Sequence, residues 1–125
     1  MSELRRRNTV LEALERMRKI EPQLNLMHVL TFLYICENEG LNVSELAQVC
    51  RTTRASASRN ARGLAERAAA GSLAPHVGLV EVRPNPESPH GRVLHLTRTG
   101  RRMRDEIDAL IAESRAIGRR ERAVT

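Results

Sequence analysis

Aromatic side chains are almost absent from this sequence of 125 residues, which has one Phe, one Tyr and no Trp. Proteins that bind single-stranded nucleic acid stack its bases on exposed aromatic rings. Here Phe32 and Tyr34 fall in the same predicted helix. Apolar residues occupy nearly every face of this helix, so we expect it to be buried. The shortage of rings argues against a surface for single-stranded DNA or RNA.

The residue types that form metal and catalytic sites are also scarce or badly spaced. The two cysteines, Cys36 and Cys50, do not form a Cys-x-x-Cys pair, and we interpret both as small core residues, with a redox-sensing thiol as the alternative. The histidines are His28, His76, His90 and His95, and none has a second metal ligand at i, i+4 spacing. There is no glycine-rich phosphate loop and no nucleophile elbow. The sequence therefore predicts no metal site, no cofactor and no enzymatic activity.

Long apolar runs are missing, so no segment is expected to span a bilayer. The first seven residues are polar and basic, and no apolar segment of the kind found in secretory signals follows them. Together these features predict a cytoplasmic protein that does not bind a membrane.

Basic residues are missing from about a quarter of the chain and concentrated elsewhere. Residues 21–50 contain none of the 21, whereas residues 51–67 carry five arginines against one acid and residues 81–104 carry six against two. Segregated positive charge of this kind is typical of a surface that binds a polyanion. The alternative is a generally arginine-rich, soluble chain, and a net charge of +6 does not separate the two.

Hydrophobic spacing and capping residues predict five helices and two strands. The helices cover residues 2–19, 26–38, 43–50, 54–69 and 98–117, and the strands cover residues 79–83 and 92–96, on either side of a turn-rich tip at 85–91. The predicted N-caps are Asn25, Asn42, Thr53 and Thr97. Asn42 is followed three residues later by Glu45, which is a variant of the capping box.

The third and fourth helices are short and joined by a brief turn at Arg51 and Thr52. The predicted inward face of the fourth helix consists of Ala57, Ala61, Leu64 and Ala68, and the outward face of Ala55, Ser56, Arg59, Arg62 and Gly63. Two such helices followed by a hairpin predict a mainly α (α+β) fold: a winged helix-turn-helix with a two-stranded β wing.

This order of elements resembles the MarR family of winged-helix regulators over residues 25–100. The segments that carry the resemblance are 30–35 (LTFLYI), 43–47 (VSELA), 56–59 (SASR), 78–81 (GLVE), 83–86 (RPNP) and 96–100 (LTRTG). Three features differ from the family. Arg51 stands where the family usually has Gly, so it adopts a left-handed backbone or the turn differs. The connector around residues 70–77 is longer, and the wing-tip arginine corresponds to His90 or Arg92, depending on the length of the second strand.

The resemblance implies that Ser56 and Arg59 lie in the major groove of duplex DNA and that Arg92 or Arg83 enters the minor groove. By position, Thr53 and Arg54 at a helix start, and Arg62 on the outer face, can hold phosphate. The predicted DNA-binding residues are Thr53, Arg54, Ser56, Arg59, Arg62, Arg83, His90 and Arg92.

The chain is predicted to be a single winged-helix domain with an N-terminal dimerisation helix (1–20), a core (25–97) and a C-terminal dimerisation helix (98–117). A homodimer is predicted because one stripe of apolar residues has nothing else in so small a chain to pack against. The members of this stripe are Leu11, Leu14, Met103, Ile107, Leu110 and Ile111.

The predicted function is sequence-specific binding of double-stranded DNA by a homodimeric transcription repressor that occupies its operator. The alternatives are a protein-interaction module without DNA binding and a phage or plasmid replication or partition protein. The resemblance makes a small-molecule effector possible, but the shortage of aromatic side chains argues against one.

Overall fold

The structure, a computed structural model, describes residues 9–88 and 90–113. Its elements in chain order are α1 (Thr9–Ile20), α2 (Leu26–Glu37), β1 (Leu41–Asn42), α3 (Val43–Cys50), α4 (Arg54–Gly63), β2 (Val80–Pro84), β3 (Arg92–Leu96) and α5 (Arg98–Ala112). Five helices and a small antiparallel sheet form the winged helix-turn-helix that the sequence predicted. Within these ranges, no helix has the length and apolar character needed to cross a membrane.

The helices begin at the polar caps that the sequence predicted. Asn42 Oδ1 accepts the Glu45 N–H at 2.8 Å and Glu45 Oε1 accepts the Asn42 N–H at 3.0 Å, which completes the capping box of α3. Asn25 forms a similar box with His28, whose ring Nδ1 accepts the Asn25 N–H at 3.3 Å. These bonds satisfy amide groups that have no partner inside the helix, and they fix where α2 and α3 start.

The turn between α3 and α4 is built on Arg51. This residue ends α3 in the left-handed conformation, with φ 53° and ψ 49°. The next residue, Thr52, donates its backbone N–H to Ala47 O at 3.0 Å, which closes the turn. Arg51 therefore takes the backbone conformation that glycine adopts more readily.

The sheet contains three strands in the order β1-β3-β2, one more than the two-stranded wing expected. The additional strand, β1, pairs Leu41 with Leu94 and Asn42 with Val93 in antiparallel fashion. A strand of two residues is too short to show an alternating pattern, so its presence could not be predicted from the residues alone. Because β1 directly precedes α3, it attaches the start of the helix-turn-helix to the wing.

The core lies between the helices and the inner face of the sheet. Its largest fully buried side chains include Met17, Phe32, Ile35, Leu46, Leu64, Leu79, Leu94, Leu96 and Met103. Every helix except α4 contributes at least one of these large side chains, and α4 contributes small ones, Ala57 and Ala61. Small residues on its buried face allow α4 to lie close to the core while its other face stays exposed.

α4 is shorter than predicted, because it ends at Gly63 and not near residue 69. The carbonyl of Leu64 accepts hydrogen bonds from Leu79 N at 2.8 Å and Val80 N at 3.1 Å. In a continued helix the same carbonyl would bond to the backbone of residue 68. Ala68, predicted to face inward, is therefore exposed, and Gly63, predicted to face outward, is buried.

The first and last helices also differ from their predicted form. Met103 and Ile107, predicted to lack cover, are only 2% and 6% exposed because they share the core with Met17 of α1. Within the described residues α5 ends at Ala112, and the backbone N–H of its C-cap, Glu113, donates to Ala109 O at 3.0 Å. The predicted helical residues 2–8 and 114–117 lie outside the described residues.

Candidate nucleic-acid interface

The outer face of α4 presents polar and basic side chains on a firmly anchored helix. Arg54 and Arg59 are exposed, whereas Ala57 and Ala61 on the opposite face are 1% and 2% exposed. Ser56 is half-buried, and its Oγ accepts a hydrogen bond from Arg59 Nη2 at 3.3 Å. This face has the chemistry needed to contact base edges and phosphates in a major groove.

Two further predicted DNA-binding residues of α4 already have structural contacts. Thr53 Oγ1 accepts the Ser56 N–H at 3.1 Å and so caps the helix. Arg62 Nε donates to Gly71 O at 2.9 Å, which fastens the connector after α4 to the helix. The phosphate contacts predicted for Thr53 and Arg62 stay predictions, and the bond to Gly71 gives Arg62 a role that the sequence did not indicate.

The wing places its two predicted arginines on opposite faces. Arg92 and the buried Leu94 are two residues apart in β3, so both lie on the face directed at the helices. Arg83 pairs across the sheet with Val93 and therefore lies on the other face, where it forms an ion pair with Glu81. The strand register thus separates two residues that the sequence left as alternatives.

A groove of about 280 Å³ lies between the wing tip and the starts of α3 and α4. Its lining residues include Ser44, Arg54, Asn85, Ser88, His90 and Arg92. Three predicted DNA-binding residues, Arg54, His90 and Arg92, are therefore brought together from distant parts of the sequence. Of the described residues that line it, none is a carboxylate.

Three residues that line this groove, Ser44, Asn85 and Ser88, were not among the predicted contacts. Ser44 stands at the second position of α3, where a hydroxyl next to a helix N-terminus can donate to an anion. The position of Ser44 at the start of a helix could be predicted from the sequence. Its closeness to Arg92 could not be predicted, because it depends on how the wing packs against the helices.

No protein-family model matches the chain, and neither does any curated protein sequence. Solved structures do match. The DNA complex of MepR from S. aureus has a TM-score of 0.61 at 14% identity, over 83% of this chain and 73% of MepR. The transcriptional repressor CouR, bound to a 23-mer DNA duplex, has a TM-score of 0.55 at 21% identity, over 82% of this chain and 67% of CouR. A MarR mutant from E. coli, complexed with operator DNA, has a TM-score of 0.57 at 16% identity, over 82% and 70%. The chain has the winged-helix fold of the MarR regulators.

Within this MarR fold the long connector after α4 is an ordered part of the structure. Leu73 N donates to Arg62 O at 3.0 Å and Val77 N donates to Gly63 O at 3.2 Å. Ser72 Oγ and His76 Nδ1 lie 2.8 Å apart and hold the connector to itself. The connector therefore supplies donors for the carbonyl groups at the C-terminal end of α4, which have no partner inside the helix.

The MarR fold also buries one titratable side chain, His28, and partly buries two others, Cys36 and Cys50. Burial lowers the pKa of His28 and raises the pKa of Cys50. Burial raises the pKa of Cys36 to about 12, although the positive charge of Arg104 acts in the opposite direction. Thiols with a raised pKa form little thiolate at neutral pH, which favours the packing role of both cysteines over redox sensing. Across the described residues, His, Cys, Asp and Glu form no group of three that could hold a metal ion.

A second groove, of about 270 Å³, lies among α1, α2 and α5. Its apolar lining includes Val10, Leu14, Met17, Val29, Ile107 and Ile111. It lies outside the helix-turn-helix and the wing, so this apolar groove and the groove at the wing tip occupy different elements.

Proposed function

We propose that this chain is a transcription regulator that binds double-stranded DNA sequence-specifically. The observation that carries the proposal is the exposed, basic outer face of α4 beside a groove that joins Arg54 to the wing residue Arg92. The solved structures of MepR, CouR and MarR with the same fold contain DNA. Binding of this kind needs no cofactor, and it places the protein in the cytoplasm with the DNA.

In the proposed complex α4 enters the major groove. Arg59 and Ser56 reach base edges, where hydrogen-bond donors and acceptors differ between base pairs. Thr53 and Arg54 lie at the start of the helix, near the phosphate backbone. The wing follows the backbone beside the same groove.

We further propose that the protein binds as a homodimer through α1 and α5. Val10 and Ile111 are 65% and 62% exposed, which is unusual for large apolar side chains and supports a partner surface on these helices. Two-fold symmetry would place two copies of α4 about 34 Å apart, one turn of DNA. Occupation of an operator by such a dimer would repress transcription by blocking polymerase.

Fluorescence anisotropy with a labelled duplex of mixed sequence, measured at increasing salt, tests the DNA-binding step. For about six phosphate contacts the slope of log K against log salt should be about −5. Arg102→Ala, checked by light scattering to keep the mass of the parent protein, is the control for loss of one positive charge, because Arg102 is exposed near the start of α5, away from α4 and nine residues before Ile111. We expect the control to bind like the parent protein.

Absence of duplex binding at low salt, or an affinity insensitive to salt, would contradict the proposal and favour a protein-interaction module. If the duplex binds, a genome-wide footprint of the protein gives the operator and its symmetry. An asymmetric footprint without a repeated half-site would contradict the dimeric arrangement.

A further inference from the structure

The groove between the wing tip and the helix-turn-helix is defined here as the wing groove, lined by Ser44, Arg54, Asn85, Ser88, His90 and Arg92. We propose that the wing groove holds a single phosphodiester group of duplex DNA, bound by Arg54 and Arg92 together. The inference rests on the proposed DNA-binding function. It predicts that Arg92 contacts the phosphate backbone of the DNA, whereas the resemblance to the MarR family implied that Arg92 or Arg83 enters the minor groove.

The charge of the wing groove matches a phosphodiester and not a neutral partner. Two guanidinium groups line it from separate elements, and no carboxylate of the described chain shares the lining. Each guanidinium has a planar fork of N–H donors that fits phosphate oxygens. Two of them around one small space repel each other until an anion neutralises them.

Arg54 is available for such a contact. It is exposed at the first position of α4, and in the described part of the chain it has no hydrogen bond or ion pair. A positive charge at this end of a helix is unfavourable, because the helix dipole is also positive there, and the first turn of α4 contains no acid. A bound phosphate would offset the repulsion of Arg54 by the Arg92 guanidinium and by the positive end of the helix dipole.

Arg92 is held in position by the wing itself. Its Nη1 donates to Gly91 O at 3.0 Å, which leaves the other N–H groups of the fork free to reach an anion. The strand register directs it toward the helices, whereas Arg83 lies on the opposite face and is already paired with Glu81. Of the two wing arginines only Arg92 can act together with Arg54.

A double-mutant cycle tests whether the two arginines share one phosphate. Arg54→Ala, Arg92→Ala and the double variant are titrated against a duplex of mixed sequence, since a backbone contact forms on any duplex. Each single substitution weakens binding by a measurable factor. We expect the factor for the double variant to be smaller than the product of the two single factors by at least about twofold, because residues that share a partner are coupled. The salt slope of the double variant should be shallower by about one unit, whereas two separate phosphates would give about two.

Arg54→Ala combined with Arg83→Ala is the matched control cycle, and its losses should multiply. Melting curves of all variants should match the parent, because none of these side chains is in the core. Multiplicative losses for Arg54 and Arg92, or a slope change of about two, would overturn the shared site while DNA binding itself stands. Failure of the parent protein to bind the duplex would instead overturn the proposed function.

Discussion

Gly100 is the point at which α5 meets the chain just before β2. A Cβ at this position would lie 2.0 Å from the carbonyl oxygen of Leu79, a backbone atom that cannot rotate away. Gly100→Ala must therefore push α5 off the sheet, and we expect it to lower the free energy of unfolding by about 3 kcal/mol. Urea denaturation measures the loss. The neighbouring exposed variant Thr99→Ala is the control and should stay within about 0.5 kcal/mol of the parent; equal stability of Gly100→Ala would contradict the close contact.

His28 gives the stability of the protein a specific dependence on pH. Its Nδ1 accepts the Asn25 N–H, so the folded protein holds the ring neutral, and burial lowers its pKa from the ordinary 6.5. The unfolded chain therefore takes up this proton at a higher pH than the folded protein does. The stabilisation is complete above about pH 6.5 and is lost as the pH falls from there toward the folded pKa.

His28→Gln is the matched variant for this prediction. Glutamine at the third position of a helix still accepts the backbone N–H of the cap but does not titrate. Urea unfolding from about pH 7.5 down to about pH 5 should show a steeper loss of stability in the parent than in the variant. Parallel profiles would mean that His28 does not respond to pH.

At the scale of the element, α4 contains two arginines three residues apart with different surroundings. Arg59 is exposed, and among the described residues its side chain bonds only to Ser56, so Arg59→Ala should keep the parent melting temperature and lose about 1–3 kcal/mol of operator affinity. Arg62→Ala removes the bond to Gly71 and should lower the free energy of unfolding by about 1 kcal/mol. Thermal melting and anisotropy of both variants are compared. A destabilised Arg59→Ala beside an unchanged Arg62→Ala would contradict this division.

The start of α4 could be predicted from the sequence and its end could not. Thr53 caps the helix through Ser56, a bond between neighbours that the sequence shows directly. The end depends on Leu64, whose carbonyl pairs with Leu79 and Val80 far along the chain. Alanines continue the helical spacing past that point, but spacing indicates which side chains are small or apolar and does not reveal a distant backbone partner.

The wing shows the same limit for the candidate site. Alternating residues predicted both strands to within one residue of β2 (Val80–Pro84) and β3 (Arg92–Leu96). Which arginine faces the helices follows from strand pairing, and the closeness of Arg92 to Arg54 follows from packing of the wing against the helices. The residue types of the site were therefore predictable, whereas their grouping required the structure.

At the scale of the whole molecule, the wing groove and the apolar surface proposed for the dimer contact belong to different elements. Arg54 and Arg92 line the wing groove, whereas the exposed apolar residues Val10, Leu14 and Ile111 lie on α1 and α5. This separation allows one molecule to bind DNA and a second copy of itself at the same time. Dimerisation would double the number of phosphate contacts without adding any residue to the chain.

The proposed dimer can be tested through the mass of the protein in solution. Light scattering of the parent protein at micromolar concentration should give twice the chain mass of 14.1 kDa. Val10→Glu combined with Ile111→Glu places charge on the exposed apolar surface of α1 and α5, and should give a folded monomer because both side chains are more than 60% exposed. Val82→Glu is the control, since Val82 is 40% exposed in the wing strand β2 and not in α1 or α5, and it should remain dimeric. A monomeric parent, or a double variant that keeps the dimer mass, would show that α1 and α5 do not hold two copies together.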